Sequence, residues 1–153
     1  MEKVRGFEVA KGFEDKGINL PIRKTKYSAG YDIEAAEDCI IPAFKPGQAP
    51  TLVKTGLKAY MPEDEYLMLC NRSSNPKKKG LVMANSIGII DNSYSGDNDV
   101  WMFPAIALED TKIEKGDRIC QFRIVKSMPK VRLDEVDHLD DQSRGGFGST
   151  GVK

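Results

Sequence analysis

Residues 72–97, Arg72-Ser-Ser-Asn-Pro-Lys-Lys-Lys-Gly-Leu-Val-Met-Ala-Asn-Ser-Ile-Gly-Ile-Ile-Asp-Asn-Ser-Tyr-Ser-Gly-Asp97, decide how this chain is read. An Arg-Ser-Ser turn runs through Pro76 and three lysines into the apolar run Leu81-Val-Met-Ala84. Gly88-Ile-Ile-Asp91 follows, and then the turn-forming residues Asn92 to Gly96. Short apolar runs bounded by Gly, Pro, Asn and Ser predict strands, and two in quick succession predict a β-hairpin. Such a hairpin sets an acid (Asp91), an aromatic ring (Tyr94) and a tight turn beside one another. Between Ser74 and Lys79 only a short helix fits, because Pro76 and the lysines leave it no apolar face.

The same signals recur outward from this stretch. Thr51-Leu-Val53, Tyr66-Leu-Met-Leu-Cys70, Val100-Trp-Met-Phe103, Ile119 to Val125 and Val131-Arg-Leu133 read as further strands, with Pro42, Gly47, Gly56, Pro62, Gly80 and Gly116 as punctuation. Ile119, Gln121, Arg123 and Val125 alternate with Cys120, Phe122 and Ile124, the two-residue period of a strand. Many short strands with dense turns predict an all-β sandwich or barrel. Trp101 and Phe103 are expected in its core, with a subunit contact or a docking surface as the competing use.

At 153 residues the chain fits one domain with a real core. A 40% hydrophobic and 30% charged composition excludes wholesale disorder. Acids and bases balance at 23 each, so no net field draws the protein to nucleic acid or to an anionic membrane. A polyanionic ligand would have to be held by a few local groups. Cys39, Cys70 and Cys120 lack paired spacing and read as reduced, buried thiols. With no basic-then-apolar leader and no run long enough to cross a bilayer (Val100 to Leu108 is broken by Pro104), the expectation is a cytoplasmic protein. His138 is the only histidine, which argues against Ser/His/Asp catalysis and His-based zinc sites.

Several residues suit phosphate chemistry. Asp91, between apolar neighbours and a turn, can orient or deprotonate a water, although capping a turn is the commoner use of such an Asp. Tyr94 offers a flat face three residues on, where a half-buried strand tyrosine is the bland alternative. Arg72 gives a planar fork beside the hydroxyls of Ser73 and Ser74. The glycines of Arg144-Gly-Gly-Phe-Gly-Ser-Thr-Gly151 would let backbone N–H groups converge on an anion. Asp32 has no neighbouring acid or histidine and could serve a magnesium ion only through water.

Five segments stand in one order: Ala29-Gly-Tyr-Asp32-Ile, Arg72-Ser-Ser74, Gly88-Ile-Ile-Asp91 with Tyr94, Gly116-Asp-Arg-Ile-Cys-Gln121 and Arg144–Gly151. In this the chain resembles the homotrimeric dUTP pyrophosphatases (dUTPases) over most of its length. The resemblance implies a jelly-roll-like distorted barrel, residues 1–139, and a mobile glycine-rich arm, residues 140–153, that closes the site. It further implies a homotrimer with shared active sites and Mg-dependent hydrolysis of dUTP to dUMP and pyrophosphate. Asp91 would then activate the water, with Arg72 and Gln121 supporting the catalytic centre. Tyr94 would lie under deoxyribose, and Asn85, Gly88, Ile89 and Ile90 would read uracil. Ser73 and Ser74 would meet the phosphates, and Asp32 would hold Mg2+ through water. Phe147 would stack on the base, with Arg144, Gly148, Ser149 and Thr150 around the γ-phosphate. One departure is that the arm arginine usually stands five residues before the Phe, where this chain has Gln142, and Arg144 stands only three before it. The alternatives are a dCTP deaminase of the same fold, and a phage-type dUTPase with an added protein-binding role. A deaminase needs a glutamate proton shuttle where GIIDNSY offers Asp and Tyr.

Overall fold

Short apolar runs become short strands in the computed structural model, which describes residues 2, 4–127, 132–139, 142–143, 145–146 and 151. In chain order the strands are β1 (Gly6–Val9), β2 (Tyr31–Glu34), β3 (Cys39–Ile41), β4 (Thr51–Lys54), β5 (Leu57–Tyr60), β6 (Glu65–Asn71), β7 (Leu81–Met83), β8 (Ile87–Asp91), β9 (Met102–Ala107), β10 (Thr111–Ile113) and β11 (Arg118–Lys126). Among the described residues helical structure is limited to a 3-10 turn, Glu14–Lys16, and the short helix α1, Asn75–Lys79. The strands form a four-stranded sheet, β2-β11-β6-β8, a three-stranded sheet, β4-β9-β7, and two pairs, β1-β5 and β10-β3. All ladder pairings are antiparallel. This is the expected all-β, jelly-roll-like architecture.

The core lies between the two larger sheets. Ile33, Leu67, Leu69 and Phe122 meet Val53, Leu81, Phe103 and Ala105, all essentially sealed from water. Trp101 is 1% exposed and packs 5.3 Å from the Phe122 ring, so it and Phe103 take the core role. Phe7, Tyr31 and Phe122 form an aromatic cluster, with Tyr31 stacked on Phe122 at 5.3 Å. Burying such rings adds to the aliphatic core's contribution to stability.

Several expectations change. The two arms of the predicted hairpin do not pair with each other: β7 ladders onto β9 and β8 onto β6. The connection between them is tight, with Ser86 at φ 63° and Ser86 N donating to Met83 O at 3.1 Å, but the arms diverge into opposite sheets. Pro104 does not end its strand. It sits inside β9 opposite Leu52, and its carbonyl accepts from Ala84 N just beyond the end of β7. The missing N–H therefore falls where the β7 ladder has already stopped. Ile119 does not share the outer face with Gln121, because a register shift between Arg118 and Cys120 turns it into the core. Arg132 and Leu133 lie in no strand, and Val131 is outside the described residues. Of the cysteines only Cys120 is fully buried; Cys39 and Cys70 are half-buried.

Candidate active site

The central strand β6 leads at its C-terminal end to one polar cluster, and its neighbour β8 carries a second. At its C-terminal end the chain leaves Asn71, turns through Arg72, Ser73 and Ser74, and enters α1. A buried amide network fixes this turn. Asn75, 1% exposed, donates through Nδ2 to Asn71 Oδ1 and to Ile119 O, both at 2.7 Å, and Asn71 Nδ2 reaches Leu81 O at 3.2 Å. Ser73 is left exposed, and the Ser74 hydroxyl caps nothing.

Arg72 then meets Asp32. Its Nε donates to Asp32 Oδ1 at 3.2 Å, and Arg118 Nη1 donates to Asp32 Oδ2 at 3.3 Å. Arg72 Nη1 also reaches Arg118 O at 3.3 Å. Gln121 is level with Asp32 across β11 and β2, and its Nε2 donates to Asn71 O at 3.4 Å. Gly30 is needed for this approach, since a Cβ there would stand 3.0 Å from Phe122 O and 3.1 Å from Gln121 Oε1. Asp32, Arg72 and Gln121, each a candidate from the sequence, are together here, whereas Asp91, expected with Arg72 and Gln121 at the catalytic centre, is not among them. Arg118 and the Asn71–Asn75 pair were not singled out. Arg118 lay in full view within Gly116–Gln121, but nothing in a linear motif shows that its side chain folds back on Asp32.

This cluster carries two guanidinium charges against one carboxylate, which suits phosphate oxygens. Among the described residues no group of three His, Cys, Asp or Glu side chains could cage a metal ion. Both Asp32 oxygens already accept an arginine, and the neighbouring positive charges oppose a directly bound cation. Their remaining lone pairs can still accept water, so the residues fit an outer-shell role and no closer one.

The second cluster lies along β8, which runs from Ile87 beside Cys70 to Asp91 beside Tyr66. β8 is an edge strand, so the backbone groups along its outer side belong to no ladder. Beside it opens a cleft of about 310 Å³ whose lining includes Asn85, Gly88, Ile89, Ile90, Asp91 and Tyr94. Gly88 gives the cleft depth, since a Cβ there would sit 3.1 Å from the Leu69 Cβ. Tyr94, 39% exposed, is fixed by its N–H, which donates to Asp91 O at 3.0 Å and closes the turn. Asp91 is exposed; of its two apolar neighbours Ile90 packs on the core, while Ile89 is 53% exposed. An open edge with fixed donors and acceptors, an apolar floor, a ring and one carboxylate can bind a flat heterocycle and address a water beside it. Arg144, Phe147, Gly148, Ser149 and Thr150 lie outside the described residues.

Asp91 and Arg72 do not meet within one chain. Asp91 pairs with Tyr66, whereas Arg72 follows Asn71. From residue 66 to residue 72 an extended chain advances about 20 Å at ~3.3 Å per residue. A base must come within hydrogen-bond reach of the water it activates, so a phosphate held by Arg72 and Gln121 is beyond the same chain's Asp91.

The sheet face between the clusters is apolar on its outer side. Tyr66, Met68 and Cys70 of β6 alternate with the buried Leu67 and Leu69, so they point away from the core. Ile87 and Ile89 of β8, 44% and 53% exposed, lie opposite Cys70 and Met68 on the same face.

Comparison with known proteins identifies the family. The dUTPase family model matches residues 16–151. The chain is 51% identical to the SPbeta prophage-derived deoxyuridine 5'-triphosphate nucleotidohydrolase YosS of Bacillus subtilis (strain 168), over 86% of this chain and 90% of that protein. It is 47% identical to the deoxyuridine 5'-triphosphate nucleotidohydrolase of Lactococcus lactis subsp. lactis (strain IL1403), over 98% and 99%. Among solved structures, the dUTPase of Streptococcus mutans superposes with a TM-score of 0.72 at 36% identity, covering 85% of this chain and 99% of that one. The Staphylococcus bacteriophage 80alpha dUTPase, solved with dUpNHpp, superposes with a TM-score of 0.73 at 25% identity, covering 99% and 100%.

Proposed function

Since the chain belongs to the dUTPase family, we propose how its residues carry out the family's reaction, in which the enzyme hydrolyses dUTP to dUMP and pyrophosphate. The observation that carries the reading is the single cleft shared by Asn85, Gly88, Ile89, Ile90, Asp91 and Tyr94. Uracil lies along the free edge of β8, where fixed backbone donors and acceptors together with Asn85 match its two carbonyls and its N–H. Deoxyribose stacks on Tyr94, leaving no room for a 2′-hydroxyl. Asp91 takes the proton of the water that attacks the α-phosphorus, and the electron pair of the broken bridge leaves with pyrophosphate.

Arg72, Ser73, Ser74 and Gln121 hold the phosphates. Asp32 supports Mg2+ through water, and the ion offsets phosphate charge when bound. Residues 140–153 act as the lid, with Phe147 on the base and Arg144, Gly148, Ser149 and Thr150 at the γ-phosphate; residues 1–139 form the catalytic body.

A second copy completes the site. The ~20 Å between Asp91 and Arg72, derived from strand rise, supports a site in which the Asp91 of one subunit faces the Arg72–Asp32–Gln121 cluster of another, and the family resemblance makes the assembly a homotrimer. The apolar outer face of β6 and β8 supports the same reading, because exposed apolar patches of this kind mark interaction surfaces. Among the described residues no helix is long and apolar enough to cross a membrane, and the enzyme is assigned to the cytoplasm. Pyrophosphate release from dUTP, dCTP and UTP at equal concentration tests the assignment. The expected result is turnover of dUTP alone; preference for dCTP, or ammonia release, would overturn it.

A further inference from the structure

The turn that follows Tyr94 is held from outside the site. Lys58, on β5, is only 11% exposed along its side chain. Its Nζ donates to Ser95 O at 3.3 Å and to Gly96 O at 3.4 Å. The same ammonium pairs with Glu8 of β1 at 3.2 Å and with Asp97 at 3.7 Å. Lys11 then bonds Asp97 from the other side at 3.2 Å. Glu8 stands directly opposite Lys58 in the β1–β5 ladder, so the ammonium is aimed by the strand pair itself.

An ammonium has three N–H donors, and here four acceptors surround it. Exposed ion pairs alone contribute little, but an ammonium this enclosed must keep its partners. The turn is stiff in its own right: Gly96 N donates to Asp99 Oδ2 at 2.7 Å and Asp99 N to Gly96 O at 3.1 Å. Tyr94 is thus fixed upstream by its bond to Asp91 O and downstream by Lys58 on the next two carbonyls. Glu8 and Lys11 precede residues 16–151, the part that matches the family model.

We propose that Lys58, oriented by Glu8 and assisted by Lys11, is a positioning residue that holds Tyr94 in place and thereby sets discrimination between deoxyribose and ribose. The proposal rests on Tyr94 being the floor beneath the sugar. Excluding one hydroxyl requires a ring held to within a fraction of its own thickness, so a turn free to tilt admits the ribonucleotide. Asp91 belongs to the β8 ladder and does not depend on this brace, so the chemical step should be spared.

The test compares kcat/KM for dUTP and UTP in the parent, Lys58→Met, Lys58→Arg and Tyr94→Ala, with Tm and oligomer mass on each. Lys58→Met keeps the stem and removes the donors; it should lower the dUTP:UTP ratio about tenfold, mainly by raising kcat/KM for UTP, with kcat for dUTP changed less than about threefold. Lys58→Arg should restore most of the ratio. If Tyr94→Ala collapses the ratio while Lys58→Met changes only Tm, the brace is merely structural and the proposal falls. If Tyr94→Ala leaves the ratio unchanged, the reading of Tyr94 itself fails, and an effect of Lys58→Met would then act by another route. Should Lys58→Met fail to fold, Lys11→Met with Asp97→Asn removes the outer half of the brace and should cost about threefold in the ratio; no change there overturns the proposal.

Discussion

The two ends of β6 are finished to different degrees. At the Arg72 end the polar groups already satisfy one another: Asp32 between two arginines, Gln121 on Asn71 O, and Asn75 bridging Asn71 and Ile119. At the Asp91 end the carboxylate is exposed, and β8 leads to it with a free edge and with Ile87 and Ile89 exposed along the way. One end is built by contacts within the chain. The other is a surface prepared for something else. On the proposed reading the difference follows from the ligand: holding phosphates needs cations kept close together by internal counter-charges, whereas holding a nucleoside needs shape and unpaired backbone groups.

The largest expected effect falls on the open end. Asp91→Asn is nearly isosteric but cannot take a proton, so kcat should drop by about 10²–10⁴. Tm and dUTP affinity should hardly move, since Asp91 is exposed. Calorimetric binding of a non-hydrolysable analogue beside steady-state turnover checks this; a variant that keeps a tenth of the parent rate is incompatible with Asp91 as the base.

The closed end should break differently. Asn75→Ala removes donors from Ile119 O and Asn71 Oδ1 in a sealed environment, so it should destabilise the fold by about 2–3 kcal/mol. Urea titration reads that cost. The contrast between the ends would be lost if Asn75→Ala behaved as an ordinary surface change.

A smaller, pH-dependent effect belongs to the Asp91 end. Arg5 Nε and Nη2 grip Glu65 at 2.9 and 2.7 Å, one residue from Tyr66, and Lys126 adds a third contact at 3.0 Å. The hydrogen bond from Arg5, more than any other influence, brings the Glu65 carboxyl down to about 2 from 4.5. A folded-state pKa below the unfolded one stabilises the protein above about pH 4.5, and that contribution is lost as pH falls toward 2. Glu65→Gln should therefore be less stable than the parent at neutral pH and should show a shallower loss of stability between pH 5 and about 2. Parallel slopes in the two proteins would remove Glu65 from the account.

Much of this fold was legible in the sequence, for physical reasons. The alternation in Ile119–Val125 and the apolar run Tyr66–Cys70 mark strands wherever they pair, and Pro76 with the lysines correctly limits α1 to little more than a turn. What the pattern could not carry was partnership. Periodicity identifies Leu81–Met83 and Ile87–Asp91 as strands but is silent on whether they ladder to each other or to β9 and β6. Nor can it show a bulge that turns Ile119 inward. The site divides in the same way: the motifs brought Asp32, Arg72 and Gln121 onto one short list, yet Asn75, Arg118 and Lys58 act through contacts 37 to 86 residues away in sequence. Separation of Asp91 from Arg72 along β6 is a property of register, which no motif encodes.

That separation is the central claim, and mixing two inactive variants tests it most directly. Asp91→Asn chains keep the Arg72 cluster; Arg72→Ala chains keep the nucleoside cleft. Each alone should turn over dUTP poorly. Unfolded together in equal amounts and refolded, they should regain about a quarter of the parent rate, because one site in four then pairs an intact Asp91 with an intact Arg72 from a neighbouring copy. A mixture no more active than the two variants measured apart, with the oligomer intact, would mean that each chain builds its site alone.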